Sequence, residues 1–177
     1  MDQVVFQNLY SLTNFSPFFD GLIIFLAKTL PYLVFLYFLY LLYKLNKKDS
    51  NLALKTTLFT IATTALSRGI IIPIVHFLTQ RPRPFIQLDI EPLFIPLRDT
   101  AMPSGHATFF FLLATVAFFK FSTKHGSLLY FCAAAISISR VIAGVHWPSD
   151  ILIGTAIGIA VALTIEILFR FLNSEKI

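Results

Sequence analysis

The sequence predicts an all-α integral membrane protein: a bundle of five transmembrane helices plus an N-terminal interfacial helix, in a single membrane-embedded domain over residues 1–177. Three observations predict it. The 177-residue chain is 56% hydrophobic and 13% charged, with a mean hydropathy of +0.77, too apolar for a soluble domain of this size. Five apolar stretches approach the roughly 20 residues that a helix needs to cross a hydrocarbon core of about 30 Å. Lysines gather in alternate connections between those stretches, as they do in multi-pass proteins.

Residues 1–18 place Asn8, Ser11, Asn14 and Pro17 among scattered hydrophobics. They are too polar to span and read as an amphipathic helix on the membrane surface. No cleavable signal is expected, because Asp2 stands where a basic leader would be. The spans follow at about Gly21–Tyr43, Leu52–Leu78, His106–Phe121, Leu128–Val145 and Asp150–Leu172. The third is the shortest and suits a thin or locally distorted bilayer. Pro31 and Pro73 fall inside the first two spans and should bend them, which lipid-embedded helices tolerate. The connection Thr79–Pro103 carries five prolines and no helical period, so it reads as an ordered lid or gate. Gly154 and Gly158 make a small-xxx-small pair in the last span, read as close packing within one bundle rather than a dimer seam. The oligomeric state stays open.

Lys44, Lys47, Lys48 and Lys55 lie in the first connection, Lys120 and Lys124 in the third, and Arg170 and Lys176 at the C-terminus. With five spans these regions share one side, which the positive-inside rule makes cytoplasmic. The other side receives Asp2, Asp20, Asp89, Glu91, Asp99 and Asp150. It also receives Arg81, Arg83 and Arg98, which run against the rule and need a reason of their own. A multi-pass protein of the plasma membrane is expected, with its polar motifs on the extracytoplasmic side. The formal charge of +5 is dispersed over helix ends, which argues for anionic lipid and the bilayer as partners and against nucleic acid. The single Cys132 allows no internal disulfide.

Three polar runs interrupt this apolar background: Arg81-Pro82-Arg83-Pro84, Pro103-Ser104-Gly105-His106, and Ser139-Arg140 followed by His146 and Asp150. Ionisable groups are costly in a bilayer, so such a cluster points to function. Ser104, Gly105 and His106 sit where a loop enters a helix. Free backbone N–H groups there make an anion pocket, although a plain helix cap would use the same Ser104. His106 beside such a pocket can protonate a leaving oxygen. If Pro148 opens the last helix, Asp150 lies in its first turn and can reach back to His146, fixing the tautomer. Asp150 also suits the positive end of the helix dipole. Arg81 and Arg83 offer planar forks for phosphate oxygens, or for lipid headgroups.

The order Arg-Pro, then Pro-Ser-Gly-His, then Ser-Arg-x5-His-x3-Asp resembles the signature of the type-2 phosphatidic acid phosphatase superfamily, from about His76 to Asp150. The resemblance implies a helical bundle that works without a metal or other cofactor. It implies His146 as a nucleophile forming a phosphohistidine, Asp150 orienting it, and His106 protonating the leaving group. Arg83, Arg140, Ser104 and the Gly105 amide would hold the phosphoryl oxygens. Similarity to compact bacterial undecaprenyl-diphosphatases of that superfamily points to undecaprenyl diphosphate, cleaved to the monophosphate. The same features suit a phosphatidylglycerophosphate or phosphatidic acid phosphatase.

One departure bears on binding. The superfamily's first motif begins with a lysine seven residues before the Arg of Arg-Pro, and here His76 stands there. The phosphate-binding cation is therefore His76 or, in its place, Arg81. A non-catalytic lipid-phosphate binder or transporter is the rival from another class, and His106, His146 and Asp150 together argue against it. A metal site built of His76, His106, His146 and Asp150 is opposed by the interleaved arginines. Lys28 and Arg68 are intramembrane cations. Lys28 is expected to snorkel outward, and Ser137 is a candidate partner for Arg68. Glu166 is expected far from the site, toward the cytoplasmic end, and His125 in a solvated cytoplasmic loop.

Overall fold

Proline placement shapes the two longest helices. A proline inside a helix lacks the N–H that would bond the fourth carbonyl back, and its ring clashes with that carbonyl. Pro31 and Pro73 each follow a wider, π-helical turn, at Phe25–Thr29 and Ser67–Ile71. There Leu30 N bonds Phe25 O and Ile72 N bonds Ser67 O, five residues back. The widened turns absorb the clash, so both helices run on. The computed structural model describes residues 1–96 and 100–174, so the assignments of Arg98, Asp99 and Lys176 fall outside the described residues.

The elements are α1 (Asp2–Tyr10), α2 (Pro17–Ile24), α3 (Leu30–Lys48), α4 (Ser50–Leu66), α5 (Ile72–Thr79), α6 (Pro84–Gln87), α7 (Gly105–Lys120), α8 (Thr123–Ile142) and α9 (Pro148–Ser174). Through the π turns, α2 and α3 form one helix of 32 residues and α4 and α5 one of 30. With α8 and Pro148–Leu168 of α9, four helices among the described residues are long and apolar enough to cross a membrane. No strand forms among the described residues; one isolated bridge joins Pro82 and Thr100.

Side-chain caps set the helix starts. Ser16 accepts from Phe19 N, Asp49 from Leu52 N and Ser122 from His125 N, each satisfying an otherwise orphaned amide. The Ser122 cap starts α8 earlier than the apolar stretch suggests and draws His125 into the helix. Its Nδ1 lies 2.8 Å from the Tyr37 hydroxyl, so the expected solvated loop histidine is instead half-buried against α3.

α7 is the axis of the bundle. Ala107, Thr108, Phe110, Leu112, Leu113, Ala114, Thr115, Val116 and Ala117 are all buried. Phe110, Leu112, Leu113, Ala114, Val116 and Ala117 pack with Val34 and Phe38 of α3, Phe59 of α4, Leu129, Ala133 and Ile136 of α8 and Ala162 of α9. A helix surrounded on all sides is apolar all round. The outer faces of its neighbours expose Leu36, Leu58, Ile61, Phe131, Leu152 and Ile167, the inverse of a soluble protein and the surface that lipid covers. Gly154 and Gly158 let α9 close on α7. A Cβ at Gly154 would come 2.7 Å from Ser104 O, and one at Gly158 would collide with Thr108 O. At its far end α7 is tied to α9 by Lys120 and Glu166, 2.5 Å apart.

α7 has 16 residues, or roughly 24 Å at 1.5 Å per residue, short of a hydrocarbon core of about 30 Å. Its N-terminus meets the paired helix at Arg68, where Arg68 Nη1 donates to Gly105 O over 3.4 Å. Thr79, where that helix ends, lies 11 residues farther on. The start of α7 is therefore recessed below the end of its neighbour.

The N-terminal segment is helical over Asp2–Tyr10 only, with the chain turning through 11–16 before α2. Phe6 is fully buried between Tyr10 and Trp147, at ring distances of 5.6 and 5.0 Å. This helix is packed onto the protein, and Asp2 at its start points inward.

Candidate functional site

The recessed end of α7 is pinned by α9. Ser104 N donates to Asp150 O at 3.0 Å, and Thr108 Oγ1 donates back to Ser104 O at 3.0 Å. Ser104 is buried, and its Oγ accepts from Ala107 N at a long 3.5 Å. The cap is weak, and the hydroxyl and the Gly105 amide stand at the positive end of the helix. His106, half-buried, follows at the second helical position, 6.2 Å from the Phe110 ring.

α8 delivers the next cation. Arg140 is 6% exposed, and its Nη1 donates to Ala27 O at 3.3 Å. Ala27 lies inside the first π turn, and its carbonyl faces Pro31, which has no N–H to give. The guanidinium covers the Phe94 ring at 5.6 Å, and Lys28 takes a position 5.2 Å from the same ring. Lys28 thus meets an aromatic face of the 79–103 connection. Arg140 Nε is buried and has no hydrogen-bond partner among the described residues. A buried guanidinium N–H left without an acceptor is costly, and an anion would satisfy it.

Gly144, at φ 82°, turns the chain between α8 and α9. Val145 O accepts from Arg83 Nη1 at 2.6 Å, and the same Nη1 lies 3.3 Å from His146 Nε2. An arginine has only donors, so Nε2 must be the acceptor and the ring proton must sit on Nδ1. Nδ1 faces Asp150 Oδ2 at 3.4 Å. Burial first, then Arg83, Arg140 and His106, push the His146 ring well below the ordinary imidazole range. His146 is therefore neutral, with the lone pair of Nε2 directed at Arg83.

Asp150 is fully buried. Its Oδ2 accepts from Trp147 N at 2.8 Å and its Oδ1 from Arg81 Nη1 at 3.0 Å. Arg81 also donates to Ser149 Oγ at 2.6 Å and to Asp2 Oδ2 at 2.5 Å, and covers the Trp147 ring at 5.1 Å. Asp2 in turn accepts from Ser149 N at 3.0 Å and Ser149 Oγ at 2.6 Å. Burial pushes the Asp2 carboxyl up, but the bonds from Ser149 and Arg81 outweigh it and hold the group below the ordinary carboxylate value.

His146, Asp150, Arg83, Arg140, Ser104, Gly105 and His106 come together at this end of the bundle. His76 joins them at the edge, with Nε2 3.4 Å from Pro103 O. Arg81 is placed differently: two carboxylates and a hydroxyl occupy its fork, so it braces Asp150 where the sequence suggested a phosphate-binding cation. Arg68 meets Gly105 O and covers the Phe109 ring at 5.7 Å, while Ser137 Oγ, its expected partner, is buried and has no hydrogen-bond partner among the described residues. Among the described residues no three His, Cys, Asp or Glu side chains group as metal ligands. Asp2 and Ser149 were missed by sequence reasoning. Neither belongs to a motif, and Asp2 is 79 residues from Arg81.

The family model described as PAP2 superfamily matches residues 53–173. An Escherichia coli (strain K12) protein named "Putative undecaprenyl-diphosphatase YbjG" is 30% identical over 172 residues, covering 95% of this chain and 84% of that protein. The crystal structure of Aquifex aeolicus LpxE superposes with a TM-score of 0.70 at 25% identity, covering 92% of this chain and 93% of that one. A transmembrane PAP2-type phosphatidylglycerolphosphate phosphatase from Bacillus subtilis gives a TM-score of 0.66 at 18% identity, with 96% and 84% covered, and supports the fold. The matched residues 53–173 include every histidine and arginine of the recessed site, and with the relatedness over nearly the whole chain they make this protein a membrane phosphatase of the PAP2 superfamily.

Proposed function

We propose that the chain crosses the plasma membrane five times as one membrane-embedded unit. In this reading it hydrolyses undecaprenyl diphosphate to undecaprenyl phosphate and phosphate at an extracytoplasmic site. The observation that carries the reaction is the geometry of His146: Nδ1 faces Asp150 Oδ2, and Nε2 lies 3.3 Å from the buried Arg83 Nη1, which leaves the ring proton on Nδ1 and the lone pair on Nε2. That is the form of imidazole that attacks phosphorus.

Nε2 forms a bond to the outer phosphorus, and the bond from phosphorus to the bridging oxygen breaks. The electron pair stays on that oxygen, which takes a proton from His106. Arg83, Arg140, Ser104 and the Gly105 N–H neutralise the three phosphoryl oxygens, and His76 adds a donor at the rim. Water then attacks the phosphorus and gives a proton to His106; the bond from phosphorus to Nε2 breaks, its electron pair returns to Nε2, and phosphate leaves. Asp150 steadies the imidazolium side of His146 throughout, and Arg81 and Asp2 steady Asp150. No cofactor has a part in this scheme.

α7 serves as the fifth span because the bilayer needs to be crossed only as far as the recessed site. Sidedness is supported by charge: Lys44, Lys47, Lys48, Lys120 and Lys124 lie at the ends opposite the motifs, and lysine favours the cytoplasmic side. The substrate is supported by the relative from Escherichia coli.

Phosphate release from detergent-solubilised protein over undecaprenyl diphosphate, phosphatidylglycerophosphate and phosphatidic acid tests the reading. Undecaprenyl diphosphate should be turned over best. His146→Ala should abolish release while still binding the lipid, and brief exposure of the unsubstituted protein should trap acid-labile phosphate on His146. Substantial turnover by His146→Ala would sink the covalent mechanism.

A further inference from the structure

The second π turn carries a cation that the scheme above leaves unused. Arg68 is exposed on the paired helix α4–α5, at a depth where lipid lies outside. An ionisable group at such a depth is a functional candidate. Its Nη1 reaches Gly105 O at 3.4 Å, and its Nη2 lies 3.7 Å from where a Cβ of Gly105 would be. It covers Phe109, three residues after His106 and so on the same face of α7. The guanidinium therefore stands beside the proton donor, on the lipid-exposed edge of the phosphoryl pocket.

We propose that Arg68 holds the inner phosphate of a lipid diphosphate, the one that stays on the lipid when the outer phosphoryl group is transferred. This deepens the phosphatase reading and rests on it. When the outer phosphorus bonds His146 Nε2, the broken bond leaves its electron pair on the bridging oxygen beside His106. If the substrate is a lipid monophosphate, that oxygen becomes an uncharged alcohol once His106 protonates it. If the substrate is a diphosphate, the oxygen belongs to a phosphate that remains anionic after protonation. Only the second case sets a lasting negative charge beside His106 in a low-dielectric place, and a planar fork meets two phosphate oxygens at once. Arg83 Nη1 lies 3.3 Å from His146 Nε2, so the outer phosphoryl group has a cation of its own. Arg68 makes the site selective for diphosphates.

Farnesyl diphosphate and farnesyl monophosphate share one tail and differ by one phosphate, so the ratio of their kcat/KM values isolates the inner group. Arg68→Ala should lower the ratio of diphosphate to monophosphate by roughly 10–100-fold, the range for one lost charged hydrogen-bonding group. Arg68→Lys, which keeps the charge and loses the fork, should give an intermediate ratio. An unchanged or raised ratio in either variant overturns the inference and leaves the phosphatase reading standing. Failure of the unsubstituted protein to release phosphate from either compound would instead remove that reading, and the inference with it.

Discussion

The guanidinium of Arg81 reaches Asp2, Ser149 and Asp150, whereas the imidazole of His76 faces the Pro103 carbonyl where the Pro-Ser-Gly-His turn begins. These partners assign them different work. Arg81→Ala should lower kcat by roughly tenfold or more, since it removes a charged donor from the carboxylate that orients His146. KM should change little. His76→Ala should raise KM with kcat nearly kept, and His76→Lys should restore it, because a rim donor contributes to binding in ground and transition states alike. Steady-state kinetics of the three variants decides between them, and a KM effect at Arg81 would return it to the phosphate-binding set. His146 and Asp150 were legible in the sequence because four residues and a proline set their geometry locally. The separation of Arg81 from the phosphate pocket was not, because its carboxylate partners lie 69 and 79 residues away.

At the scale of elements, α1 is joined to the chemistry by two links: Phe6 against Trp147, and Asp2 on Arg81 and Ser149. Phe6→Ala removes a fully buried ring and should cost about 3 kcal/mol, read as a lower unfolding midpoint in detergent. Asp2→Asn keeps the shape and weakens the ion pair, so it should lower kcat through Asp150 with little change in KM. Its pH dependence has a definite sign. The Asp2 carboxyl is held below its ordinary value of 3.8, so its stabilisation is full above that pH and is lost as pH falls through the folded value. The acid-side loss should be smaller in Asp2→Asn, and identical acid profiles for the two proteins would detach α1 from the network. Four of the five apolar runs coincide with helices long and apolar enough to cross a membrane among the described residues, and Pro31 and Pro73 announced irregularities in two of them. What they could not announce was the form: periodicity does not distinguish a bend from a widened turn, and both helices proved continuous. The polar scatter of residues 1–18 read as a surface helix, because Phe6 finds its pocket only once Trp147 is folded beside it.

For the whole molecule, charge distribution makes a prediction that owes nothing to the catalytic motifs. A cysteine placed at Gln87 should react with an impermeant thiol reagent added to intact cells, and cysteines at Lys47 or Lys124 should not. The reverse pattern would put the site in the cytoplasm and end the extracytoplasmic reading. A background chain in which Cys132 is replaced keeps the labelling single-valued. The overall shape explains why the third apolar stretch is short. α7 is central in the bundle, is recessed at the end that carries the polar motifs, and is flanked by longer helices. That relation is three-dimensional, and stretch length alone does not carry it.

Each π turn amounts to one residue inserted into an α-helix. An insertion in a plain helix rotates everything beyond it by roughly 100°, which would swing His76 off the site; the widened turn confines the extra residue instead. When this chain is aligned with a relative whose spans are plain α-helix, the gap therefore belongs inside the apolar stretch, at 25–29 or 67–71, and not in the nearest loop. The proline is the other half of the change. Deleting the extra residue alone would bring the ring of Pro31 or Pro73 back onto a carbonyl, at a cost of about 3 kcal/mol. Insertion and proline should therefore come and go together in the history of this fold, as one event recorded at two positions.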